Sequence, residues 1–109
     1  MSAGTHTITI PGKFMDTLRD TDVWHGSERD MADSAGRELH DALHAATSTR
    51  RGRGYSFTVT LNTSGAVGWL YELAETAAYM NRHSEVSGND AAETRAAERV
   101  MAQCREVLG

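Results

Sequence analysis

The sequence predicts a small α+β protein, with elements in the order β-α-α-β-α-α and a two-stranded or dimer-extended sheet packed by helices. Two observations carry that expectation. Threonine and aliphatic residues alternate at Thr5-His6-Thr7-Ile8-Thr9-Ile10 and again at Phe57-Thr58-Val59-Thr60-Leu61, the period-2 pattern of a half-buried strand. Each run then gives way to apolar residues spaced three and four apart, the period of an amphipathic helix. At 109 residues the chain fits a single domain over 1–109. The recurrence divides it into candidate pseudo-repeat halves, 5–47 and 55–108.

Met1 to Gly4 is read as a short, frayed lead-in. The first strand runs from Thr5 to Ile10, with Ile8 and Ile10 on one face and Thr7 and Thr9 on the other. Pro11 suits the first position of a helix, where its missing N–H costs nothing. Phe14 and Leu18 then give the segment from Gly12 to Arg19 an apolar stripe, and Thr21 to Gly26 breaks it. Ser27 is read as an N-cap, with Glu28 and Asp30 complementing the dipole of one helix that continues to Ala46. Met31, Ala35, Leu39, Leu43 and Ala46 share a side of it. Thr47 to Gly54 reads as a polar, glycine-punctuated connection.

The second strand places Tyr55, Phe57, Val59 and Leu61 on one face and Ser56, Thr58 and Thr60 on the other. Asn62, Thr63 and Ser64 offer caps for a long helix to Asn81. Ser84 to Asn89 reads as a loop turning at Gly88. Asp90 with Glu93 resembles a capping box opening a last helix that turns Ala96, Ala97, Val100, Cys104, Val107 and Leu108 inward.

Composition narrows the functional classes. The net charge of −4 provides no global attraction to nucleic acid or anionic membrane, and no apolar run reaches the length of a membrane span. A single cysteine, Cys104, excludes an internal disulfide and suits a reducing, cytoplasmic setting. Arginine outnumbers lysine ten to one, which fits a bacterial or phage gene of high GC content. The apolar fraction is 39%, and much of it is alanine, which buries little area. So thin a core points to completion by oligomerisation.

The long helix after the second strand has the widest apolar arc. With Leu70 at its centre, Leu73, Met80 and Trp69 spread to one side and Val67, Ala78 and Tyr71 to the other, each by about 60° to 100°. An ordinary surface helix needs a stripe of roughly 100° in all. Such an arc is expected to pack on the sheet and to meet a partner as well, which makes Trp69, Tyr71, Tyr79 and Met80 candidate protein-interface residues. The one concentrated positive stretch is Arg50-Arg51-Gly52-Arg53-Gly54. Arg50, Arg51, Arg53 and the adjoining Tyr55 are candidate nucleic-acid contacts, through phosphates and base stacking respectively.

Catalytic and metal chemistry find little footing. His40 and His44 have the i, i+4 spacing of a metal pair, but they fall beyond the edge of the apolar face and, although Asp33 and Asp41 share the helix, no further Cys or His lies near them in sequence. Cys104 sits on an inward stripe, where it packs as a small apolar residue. Ser64-Gly65 follows a strand without the Gly-x-Ser-x-Gly elbow. Asn62 to Gly68 lacks both the P-loop Lys and a full Gly-x-Gly-x-x-Gly. No enzyme activity, cofactor or metal is expected.

Thr5 to Ile10 with Pro11 opening the next helix, and less closely Phe57 to Leu61, resembles the strand unit of the ribbon-helix-helix DNA-binding repressors. That resemblance implies strands paired between two chains, with Thr7, Thr9, Thr58 and Thr60 turned toward the major groove. These positions lack the Arg, Lys, Gln or Asn side chains that read base edges, and the third helix is longer than the unit accommodates. The leading expectation is therefore a small non-enzymatic regulatory protein that self-associates and acts through protein–protein contacts. A ribbon-helix-helix-like nucleic-acid regulator is the alternative.

Overall fold

The computed structural model describes residues 4–83 and 91–109. In chain order its elements are β1 (His6–Pro11), α1 (Gly12–Leu18), α2 (Asp22–His25), α3 (Glu28–Met31), α4 (Ser34–His44), β2 (Thr47–Arg51), β3 (Gly54–Leu61), α5 (Ser64–His83) and α6 (Ala91–Leu108). The α+β class stands, but among the described residues the sheet has three strands, not two, in the order β1-β3-β2. Both pairings are antiparallel.

The additional strand comes from the stretch expected to be irregular. β2 carries no apolar residue, so it lacks the alternation that marks a half-buried strand, and all five of its residues are exposed. It pairs because Gly52 takes φ 59° directly after Arg51. Arg53 has no positive φ, so the turn is the glycine-first kind that joins two strands through two residues.

Register divides the sheet into two faces. Ile8 lies opposite Val59 and Ile10 opposite Phe57, and these join Leu61 and the helix residues Phe14, Leu18, Leu39, Leu43, Leu70 and Val100 in one core. On the other face Thr7 opposes Thr60, Thr9 opposes Thr58, and Thr47 continues the row beyond Thr58. The alternation read from the sequence therefore separates helix-covered residues from a threonine and serine face.

Several helix boundaries differ from the expected ones. Pro11 ends β1 and serves as the extended N-cap of α1 rather than its first helical residue. The break at Thr21 to Gly26 contains a turn of helix, because the Thr21 hydroxyl accepts from Trp24 N. The single helix expected from Ser27 to Ala46 is two. Ser27 does cap α3 through Asp30 N, but the Asp33 carboxylate accepts from Ala35 N and Gly36 N and starts α4 afresh. Leu108 is 44% exposed rather than inward. The loop read at Ser84 to Asn89 and the cap at Asp90 lie outside the described residues.

Polar ties hold the layers in position. Gln103 on α6 accepts from Thr9 N and donates to Thr9 O, both at 2.8 Å, so one amide occupies the outer edge of β1 as a further strand would. Glu38 on α4 accepts from Asn62 N at 2.5 Å and from the Thr63 hydroxyl at 2.6 Å, fixing where β3 passes into α5. Glu93 accepts from both Thr17 on α1 and Asn81 on α5. Alanines line the buried sides of the two long helices, Ala74 and Ala78 on α5 and Ala96 and Ala97 on α6. Side chains this small let helix backbones approach closely.

Gly36 lets α4 cross α5. A Cβ at Gly36 would lie 2.6 Å from Asp30 O and 3.0 Å from the Trp69 ring, whereas one at Gly68 would meet nothing within 4 Å. Gly36→Ala is expected to lower stability by about 1–3 kcal/mol through overpacking. Gly68→Ala should raise it by about 0.5–1 kcal/mol through helix propensity. Denaturant unfolding of the two variants should move in opposite directions.

Candidate functional site

α5 is clamped on two sides. Its N-terminal turns meet α4, where the Trp69 ring lies against Gly36 and a Cβ on Gly65 would lie 3.2 Å from that of Ala35. Its other flank meets α6, where Arg105 sits 5.6 Å from the centroid of the Tyr71 ring and donates to the Tyr71 hydroxyl at 3.4 Å. Ala66, Val67, Leu70, Ala74 and Ala78 are buried. Most of the wide apolar arc is thus consumed within the chain.

The four residues singled out on α5 consequently separate. Tyr71 and Tyr79 lie toward α6, Tyr79 beside Met101, Glu98 and Arg105. Trp69 and Met80 lie on the opposite flank, on a stripe that also contains Leu73 and Thr76. Met80 is 61% exposed, and Trp69 and Leu73 are half-buried against the core. Sequence reasoning grouped Leu73 with Trp69 and Met80 but left out Thr76, which shares a surface with Trp69 and Leu73 and whose helical spacing made it visible.

The hairpin places Arg50, Arg51 and Arg53 around one tight turn, with Arg50 Nε donating to Gly52 O at 3.4 Å. Arg50 lies directly opposite Tyr55, so both occupy the helix-side face of the sheet beyond the end of its core, and Tyr55 is 54% exposed. Arg51 belongs to the threonine face. Facing Tyr55 across an open groove of about 460 Å³ are Lys13, Asp16 and Arg19 of α1 and its C-cap. The Arg19 guanidinium sits 5.3 Å from the Phe57 centroid and 5.6 Å from that of Trp24, and 3.9 Å from the Asp16 carboxylate. The contribution of α1 to this surface was not legible in the sequence, where it lies some forty residues from the hairpin.

The histidine pair serves α2. His40 Nδ1 donates to Val23 O and His44 Nε2 to Trp24 O, each at 2.8 Å, and the His44 ring stacks on Trp24 with centroids 3.8 Å apart. Both imidazoles satisfy carbonyls at the end of a short helix. Among the described residues no group of three or more His, Cys, Asp or Glu side chains is placed to hold a metal ion. β1 pairs with β3 along one edge, and at Thr9 its other edge is bonded by the Gln103 amide.

No protein-family model, curated protein or solved structure matches the chain. No helix among the described residues is long and apolar enough to cross a membrane.

Cys104 is fully buried, and desolvation pushes its thiol from an ordinary value of 9.0 up to about 11. The folded state holds the neutral thiol, while the unfolded chain ionises from about pH 9. Stability present below pH 9 should therefore fall as pH rises toward 11. Alkylation by iodoacetamide at pH 8 should be slow in the native protein and fast in denaturant, because the thiolate is the nucleophile.

Proposed function

We propose that this is a non-enzymatic interaction protein of the cytoplasm that self-associates through α5 and acts by protein–protein contacts. The observation that carries this reading is the stripe Trp69, Leu73, Thr76 and Met80. Its members recur at intervals of four, three and four residues, the spacing of a helix–helix seam. Trp69 is held against Gly36, so its ring is a pre-positioned anchor of the kind that dominates interface energetics. Met80, 61% exposed, provides an adaptable apolar surface at the far end. In an antiparallel pairing of two α5 helices, Trp69 would oppose Met80 of the second copy and Leu73 would oppose Thr76, large residues alternating with small ones.

The non-enzymatic part rests on chemistry. The histidines are committed to α2 carbonyls, the one thiol is buried with a raised pKa, and Glu38 is committed to the β3–α5 junction. The lone buried cysteine also suits a reducing compartment.

The test uses exposed positions, so that the monomer fold is left alone. Light scattering at high micromolar concentration should give a mass above the 11.9 kDa of the chain. The Thr76→Glu/Met80→Glu variant should approach the monomer mass with unchanged helical circular dichroism. A wild type that remains monomeric, or a variant that assembles as before, would remove this reading.

A further inference from the structure

We propose that the groove between α1 and the β2–β3 hairpin binds single-stranded nucleic acid, stacking bases on Tyr55 and on the Arg19 plane and placing phosphates on the hairpin arginines. The inference does not depend on self-association, because the groove and the α5 stripe share no residue.

Three features of the groove converge on that ligand. The first is an open aromatic face. Tyr55 is 54% exposed and lies on the strand face next to Phe57, at the groove it shares with α1. The second is a second planar platform. Arg19 sits over both Phe57 and Trp24 at 5.3 and 5.6 Å from their centroids, and a guanidinium held in this way offers its outer face to a base. Asp16, 3.9 Å away, offsets part of the Arg19 charge. Its role here is then stacking more than phosphate pairing. The third is the spacing of charge. Arg50 lies opposite Tyr55 on the groove's face of the sheet and Arg53 sits in the adjoining turn at Gly52, Arg51 turns to the threonine face, and Lys13 lines the α1 wall of the groove.

Each alternative ligand uses only part of this surface. An anionic membrane would engage the arginines but make no use of the two stacking platforms. An acidic peptide would pair with the arginines without a π-face for the two platforms. A DNA duplex keeps its bases stacked and would present phosphates only, and the adjacent threonine face lacks the side chains that read base edges. A single strand presents unpaired bases and phosphates together, the combination used by sequence-tolerant single-strand binders.

Fluorescence anisotropy with a short labelled oligo-dT supplies the test. Binding should appear at low salt and weaken as salt rises, with a log–log slope of about −2, from about three phosphate contacts at about 0.7 each. Tyr55→Ala should weaken binding by about tenfold or more, whereas Tyr55→Phe should retain it. Arg50→Ala and Arg53→Ala should each reduce the slope by about 0.7. The Thr76→Glu/Met80→Glu variant should bind oligo-dT as wild type does, which separates this site from the α5 seam. No anisotropy change at low salt would overturn the proposal. So would tighter binding of a duplex of equal length, or binding of oligo-dT, heparin and phosphatidylserine vesicles alike with no dependence on Tyr55.

Discussion

β3 is hydrogen-bonded on both edges, antiparallel to β1 on one side and to β2 on the other. The sheet core and the groove beside it both depend on that double pairing. The β1 side aligns Ile8 with Val59 and Ile10 with Phe57, creating the apolar platform on which the helices pack. The β2 side brings Arg50 opposite Tyr55 and holds the arginine turn at the end of the sheet. Since side chains alternate strictly along a strand, a slip of one residue would turn Val59 and Leu61 to solvent and bury threonines. The core and the groove therefore share one register.

That register is reinforced from the helix layer. Glu38 reaches from α4 to Asn62 N and the Thr63 hydroxyl, and Thr63 in turn accepts from Ala66 N at 3.2 Å. The end of β3 and the start of α5 are thereby a single hydrogen-bonded unit. Glu93 joins α1, α5 and α6 at Thr17 and Asn81. These ties specify how the layers sit on one another, a task that an alanine-rich core performs weakly because alanine offers little shape to interlock.

The parts legible in the sequence were those with a strong period. Ile8 and Ile10, Val59 and Leu61, and the buried stripe of α6 from Ala96 to Cys104 followed from alternation or from helical spacing. The third strand did not, because Thr47 to Arg51 carries no apolar residue and its pairing depends on a turn rather than on burial. The division at Asp33 was hidden for a related reason. Met31, Ala35 and Leu39 keep a helical period across it, and only the capping preference of Asp33 signals a restart. The candidate surfaces were half legible. Arginines adjacent in sequence were visible as a cluster, but Arg19 over Phe57 and Trp69 against Gly36 are products of tertiary packing.

The two edges of the sheet are unequal. Gln103 occupies the outer edge of β1 with a donor and an acceptor, while β2 is exposed along its whole length. Among the described residues β2 is therefore the more open of the two sheet edges to a further strand. Strand addition between two copies would use up that edge on both and leave a closed, two-fold pair. Growth along the hydrogen-bonding direction would then have to pass the Gln103 amide at Thr9 to go beyond two copies.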